Sequence, residues 1–169
     1  MTLRVAILTV SDRAAAGERA DASGPVLGQM VQVNGWQVVR IEIVPDDQTT
    51  IEHILTAWAD EGNTNVILTT GGTGFSRRDV TPEATLAVVE RQALGLAEAM
   101  RAASLQTTPH AMLSRAVAGI RGSTLIVNLP GSPKAAVENL QVILPVLAHA
   151  VQLLSDDPNA EAGHSIPKH

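Results

Sequence analysis

Four near-continuous runs of Val, Ile and Leu, at residues 4–10, 36–44, 65–70 and 123–129, constrain this chain more than any other feature. Each is of strand length, and runs without polar alternation suit strands covered on both faces. Helix-patterned segments separate them. That alternation predicts an α/β fold of three layers, α/β/α, with a mostly parallel sheet and helices on both faces. The first helix is expected to open near Ser23-Gly24-Pro25 and stop at Gly35. The second reads as opening on a capping box, Thr49-Thr50-Ile51-Glu52, and stopping at Gly62, while a third begins at Thr81 with Pro82 at its first helical position. Residues 95–121, Ser114 and Arg115 included, read as helical with room for a short strand pair, and a long last helix is expected from Pro133 to Ser155. One domain over residues 1–155 follows, with a polar, loosely held tail at 156–169.

Composition narrows the function. Aromatic residues make up only 2% of the chain and its formal charge is −5, so stacked bases, nucleic-acid phosphates and anionic membranes are poor partners for it. With no Cys there is no disulfide, thiolate nucleophile or cysteine metal site, and any sulfur chemistry must belong to a ligand. The five His residues lack the spacing of a zinc site. Met1-Thr2-Leu3-Arg4 leads straight into the first apolar run, which is too short for a signal-peptide core, and no run is read as membrane-spanning; a cytoplasmic location is expected.

Every apolar run ends in polar or glycine-rich punctuation: Ser11-Asp12-Arg13, Pro45-Asp46-Asp47, Gly71-Gly72-Thr73-Gly74 and Pro130-Gly131-Ser132-Pro133. In an open parallel sheet those ends share one edge, where such folds bind ligands. The third is the most specific. Glycines allow close approach of backbone N–H groups to an anion, Arg77 and Arg78 add charge, Asp79 can hold a hard metal against phosphate oxygens, and a helix entry follows. The loop lacks the Gly-Lys-Ser/Thr ending of a P-loop. Asp46 or Asp47 near Asp79 would complete a paired-carboxylate site for phosphoryl transfer. Each signal also has a plainer role: Ser11-Asp12 as a turn, Asp46 and Asp47 as solvated acids, Ser132-Pro133 as a helix cap, Ser114-Arg115 as a polar helix face.

Taken together, Gly71-Gly72-Thr73-Gly74 joined to Arg78-Asp79-Val80-Thr81-Pro82-Glu83-Ala84, with Ser11-Asp12-Arg13, Pro45-Asp46, Leu113-Ser114-Arg115 and 128–134, closely resemble the Mog type of molybdopterin adenylyltransferase. The resemblance spans residues 5–154 and implies the molybdopterin-binding-like fold. It also implies an enzyme of molybdenum cofactor biosynthesis that transfers AMP from Mg-ATP to the terminal phosphate of molybdopterin and releases pyrophosphate. The family's two essential aspartates fall on Asp46 and Asp79, expected to be catalytic and to hold Mg²⁺. Its nucleotide loop falls on Gly71, Gly72, Thr73 and Gly74, with Arg78 beside it. Its pterin-side contacts are expected at Ser11, Asp12, Ser114, Arg115, Pro130, Gly131 and Ser132. A homotrimer is implied, with contact to other molybdenum cofactor assembly proteins possible. Two rival readings remain: a non-catalytic pterin-binding protein of the MoaB branch, and a nucleotide-derivative hydrolase of the competence-and-damage-inducible group. The second usually carries Gly-Gly-Leu-Gly-Pro-Thr, which this chain lacks.

Overall fold

The computed structural model describes residues 2–155; the tail expected at 156–169 lies outside the described residues. Six strands form one sheet: β1 (Arg4–Val10), β2 (Gln37–Val44), β3 (Val66–Thr70), β4 (Arg91–Gln92), β5 (Ala118–Arg121) and β6 (Thr124–Leu129), in the order β2-β1-β3-β6-β5-β4. The first four in that order are mutually parallel; β5 and β4 extend the far edge antiparallel. All four runs expected to be strands are therefore strands, and their C-terminal ends lie along one edge.

Alternating side chains of the central strands feed two cores. Val5, Ile7, Val66, Leu68, Leu125 and Val127 face α2 (Ser23–Val33), α5 (Leu94–Leu105) and α6 (Pro133–Leu154). Ala6, Leu8, Ile67 and Ile126 face α3 (Gln48–Asp60) and α4 (Thr81–Val88). The three-layer α/β/α arrangement is thus dictated strand by strand, since successive residues of a strand point to opposite faces and both faces here are apolar. Each large side chain fully buried in this way contributes about 1.5–3 kcal/mol.

Four local expectations are corrected. Residues 36–44 are not covered on both faces: β2 is the sheet edge, and Ile41 and Ile43 are each 42% exposed because only β1 flanks them. The cap of α3 is Asp47, not Thr49; its carboxylate accepts from the Thr50 N–H at 2.8 Å and the Thr50 hydroxyl at 2.6 Å, so the helix starts at Gln48. Ser114 and Arg115 are not helical. After a 3₁₀ turn at Pro109–Leu113 the chain is extended toward β5, where Asn128 draws it in: its N–H donates to the Val117 carbonyl and its Oδ1 accepts from the Val117 N–H. Finally, α6 has 22 residues and a mean hydropathy of 1.4 over its best window, long and apolar enough to cross a bilayer; here Leu140, Ile143, Leu147 and Val151 pack on the sheet. A short helix, α1 (Asp12–Ala15), follows β1 and carried no periodic signal.

Asn128 is fully buried, and its Nδ2 donates to the hydroxyls of Thr69 and Thr85 at 2.9 Å each, tying β6 to β3 and α4 behind the ligand edge. Asn128→Ala would strand those partners and the Val117 N–H. A loss of about 2–3 kcal/mol is expected in urea unfolding, well above that of an exposed polar-to-Ala change.

Candidate active site

Two clefts open at the ligand edge, and the loop joining β3 to α4 runs between them. Gly71 and Gly72 line the first, about 510 Å³, with Ser11, Arg19, Asp21, Ser23, Asp46, Asp79, Gly131 and Ser132 among its walls. Thr73 and Gly74 line the second, about 290 Å³, with Ser114 and Pro130. The turn joining β6 to α6 divides in the same way, Pro130 on one side, Gly131 and Ser132 on the other. Two consecutive-residue loops therefore form the partition, so ligands in the two clefts would meet across it.

The glycine loop holds its shape through backbone contacts only some residues permit. Gly71 has φ +100° and Gly72 φ +65°, conformations L side chains rarely adopt. A Cβ on Gly71 would collide with the Val10 carbonyl, and the Gly71 N–H already donates to the Leu129 carbonyl at 3.2 Å. Among the described residues, the N–H groups of Gly72, Thr73 and Gly74 take no protein acceptor, which leaves them for an anion. Thr81 fastens α4 to the turn: its N–H donates to the Gly72 carbonyl and its hydroxyl to the Gly71 carbonyl at 2.9 Å.

Asp46 and Asp79 both line the first cleft. Asp46 is locked to Asp12 by a reciprocal pair, each carboxylate accepting from the other's backbone N–H at 2.8 and 2.9 Å. Burial, then the charges of Asp12 and Asp79, raise the Asp46 carboxyl above its ordinary range, against a lowering by the Asp12 N–H. Asp12 itself is held below the usual range, first by the Arg78 guanidinium, which grips it with Nε and Nη2 at 2.9 Å each. Asp79 Oδ2 accepts from the Ser76 N–H at 3.0 Å. Gly72 gives Asp46 its room, since a Cβ there would stand 3.1 Å from Asp46 Oδ1.

Arg115 braces the loop from behind. Its backbone N–H donates to the Thr73 carbonyl at 2.9 Å, its Nε to the Gly74 carbonyl at 2.6 Å and its Nη2 to the Asp79 carbonyl at 2.7 Å. Its Nη1 pairs with Glu83, and against the upward push of burial this guanidinium holds the Glu83 carboxyl below its ordinary value.

The expected site residues thus separate into three groups. Ser11, Asp46, Gly71, Gly72, Asp79, Gly131 and Ser132 share the first cleft; Thr73, Gly74, Ser114 and Pro130 share the second. Asp12, Arg78 and Arg115 lie outside both linings and are braces. The plainer roles are real as well: Ser11 caps α1 and Ser132 caps α6. Sequence reading missed Asp21, whose Oδ1 accepts from the N–H groups of Ser23 and Gly24 at 3.0 and 3.1 Å. The Asp two residues ahead of Ser23-Gly24-Pro25 was a legible signal for that turn. It also missed Arg19, Arg101 and Asn139, for which the sequence offers no signal.

Residues 6–149 match the model of the probable molybdopterin binding domain. The chain belongs to the molybdopterin-binding family. A molybdopterin adenylyltransferase from Escherichia coli K12 is 44% identical over 142 residues, which is 83% of this chain and 73% of that protein. Gephyrin from Dictyostelium discoideum is 43% identical over 171 residues, covering 95% of this chain; the chain spans only 24% of gephyrin's length. Among solved structures, the molybdopterin biosynthesis enzyme MoaB from Thermus thermophilus superposes with a TM-score of 0.87 at 48% identity, covering 93% of this chain and 99% of that one. Membership of the molybdopterin-binding family agrees with the fold expected from the resemblance.

In this family member two glycines of one loop should answer substitution differently. A Cβ on Gly74 would lie 2.9 Å from Asp79 Oδ2, the movable end of a side chain, and Gly74 has no positive φ. Gly74→Ala is therefore expected to melt within a few degrees of wild type while displacing the Asp79 carboxylate. Gly71→Ala should instead unfold the loop and lower the melting temperature markedly. Calorimetric melting of both variants reads the difference.

Proposed function

We propose that this chain is a molybdopterin adenylyltransferase, binding the nucleotide in the first cleft and the pterin in the second. The observation that carries the reading is the pair Asp46 and Asp79 facing an anion-ready glycine turn, with a second cleft directly across the same loop. The second cleft, walled by Ala111, Leu113, Pro130 and Ala135 with a few polar groups such as Ser104, Ser114 and Asn139, suits a flat heterocycle with polar edges. On this assignment Ser11, Gly131 and Ser132 serve the nucleotide rather than the pterin.

The chemistry asks little of the protein beyond alignment and charge control. A phosphate oxygen of molybdopterin attacks the α-phosphorus of ATP, the bond from that phosphorus to the bridging oxygen breaks, and pyrophosphate leaves. No general base is needed because a phosphate monoester is largely ionised near neutrality. Asp46 and Asp79 would hold Mg²⁺, which when bound supplies neutralising charge to the polyphosphate. The fit is electrostatic: Asp46 carries a carboxylate that burial and two neighbouring acids make costly, and a cation relieves that cost. No third His, Cys, Asp or Glu joins them among the described residues, so phosphate oxygens and water would complete the shell. The Gly72 N–H would stabilise an equatorial oxygen from the first cleft, and those of Thr73 and Gly74 would meet phosphate oxygens from the second.

The test is to incubate the protein with molybdopterin, ATP, Mg²⁺ and pyrophosphatase and to look for adenylylated pterin by mass. Its absence, with pterin still bound, would leave the non-catalytic MoaB-like reading standing. Asp79→Asn and Asp46→Asn should each lower transfer by at least about a hundredfold, a size typical of lost transition-state charge stabilisation. Their folds should survive. For Asp46 the sign is definite: a raised folded-state pKa gives a stability contribution that is full below the unfolded value near 3.8 and is lost as pH rises through the folded value. Asp46→Asn should therefore melt at or above the wild-type temperature at pH 7, and that advantage should shrink on acidification.

We also propose a homotrimer, which closed cyclic symmetry makes compatible with two open clefts on each subunit. Light scattering at micromolar concentration should give a threefold mass.

A further inference from the structure

Resting on the nucleotide reading of the first cleft, the balance of charge around it points to a residue for which no motif provides. Three carboxylates line that cleft, Asp21, Asp46 and Asp79, and they face a site meant for a polyanion. Of the three arginines on the neighbouring loops, Arg77 is exposed and outside the lining of the cleft, and the other two are already committed. Arg78 is held by both nitrogens on Asp12, and Arg115 is taken up by Gly74, Asp79 and Glu83. Asp21 is likewise engaged, with Thr9, Ser23 and Gly24.

One guanidinium remains in the lining, that of Arg19. Among the described residues its one side-chain hydrogen bond is from Nη2 to the Ser11 hydroxyl at 3.4 Å, longer than a strong charge-assisted bond, and it has no carboxylate partner there. Its backbone is nonetheless fixed. Gly17 turns the chain at φ +73°, and the N–H groups of Glu18 and Arg19 both donate to the Arg13 carbonyl, at 2.9 and 3.2 Å. Arg19 is solvent-exposed, so it stands at the mouth of the cleft while Gly71, Gly72, Asp46 and Asp79 stand deeper.

We propose that Arg19 is the cation that meets the β,γ end of the bound nucleoside triphosphate and the pyrophosphate as it departs, while Arg78 is a positioning residue acting through Asp12. A planar fork with free donors suits adjacent phosphate oxygens, and a guanidinium keeps its charge at any working pH.

The experiment is calorimetric titration of wild type, Arg19→Gln and Arg19→Lys with AMP, ADP, ATP and inorganic pyrophosphate, each with Mg²⁺, beside melting curves. Arg19→Gln is expected to weaken ATP and pyrophosphate roughly tenfold, the size of one charge-assisted contact, and AMP by less than about twofold, at unchanged melting temperature. Arg19→Lys, which keeps the charge but not the planar fork, should recover only part of the loss. An Arg19→Gln protein that binds ATP and pyrophosphate as wild type does, or that loses AMP and ATP equally, overturns the proposal. Wild-type protein that binds none of the four overturns the nucleotide reading itself, and this inference with it.

Discussion

Residues 71–80 have no regular structure of their own, yet both clefts depend on their shape, and that shape is held largely by Arg115. One backbone N–H and three guanidinium nitrogens reach Thr73, Gly74, Asp79 and Glu83, spanning the loop from its glycine turn to the first turn of α4. Arg115 is two-thirds withdrawn from solvent, with a side-chain exposure of 33%, so these charge-assisted contacts are screened less than a surface pair would be. The adjacent Ser114 lines the second cleft. The wall of the second cleft and the residue that braces the loop between the two clefts are thus consecutive in the chain.

The opposite side of the first cleft is ordered by a different device. Asp12 and Asp46 exchange backbone hydrogen bonds, which brings the ends of β1 and β2 together, and Arg78 reaches over from the glycine loop to offset one of the two charges. Only Asp12 is compensated. Asp46 keeps a raised pKa and an oxygen open to the cleft, a local cost that a ligand-borne cation is suited to remove.

Much of this was legible because it depends on local order. Apolar runs at strand length, Gly35 and Gly62 as helix stops, Pro82 and Pro133 at helix entries, and the edge where strand ends gather all follow from residue type and spacing. Where reading failed, a local signal competed with a nearer or a remote one. Asp47 displaced Thr49 as the cap because it stands at the residue where the chain is already extended. The helical look of 111–117 gave way because Asn128, far along the chain in β6, offers the extended form two hydrogen bonds.

The sequence by itself determined the layers, the parallel order of the central strands and the set of loops that carry chemistry, since these rest on periodicity, glycine conformational freedom and side-chain type. Tertiary structure alone decided which loop residues line a cleft and which face each other. Arg78 and Arg115 read as ligand contacts, but their charges are satisfied by Asp12 and Glu83, brought in from other parts of the chain. Arg19, with no motif, is left facing the cleft. The availability of a charged group depends on what stands within about 4 Å of it, and only folding brings those neighbours together.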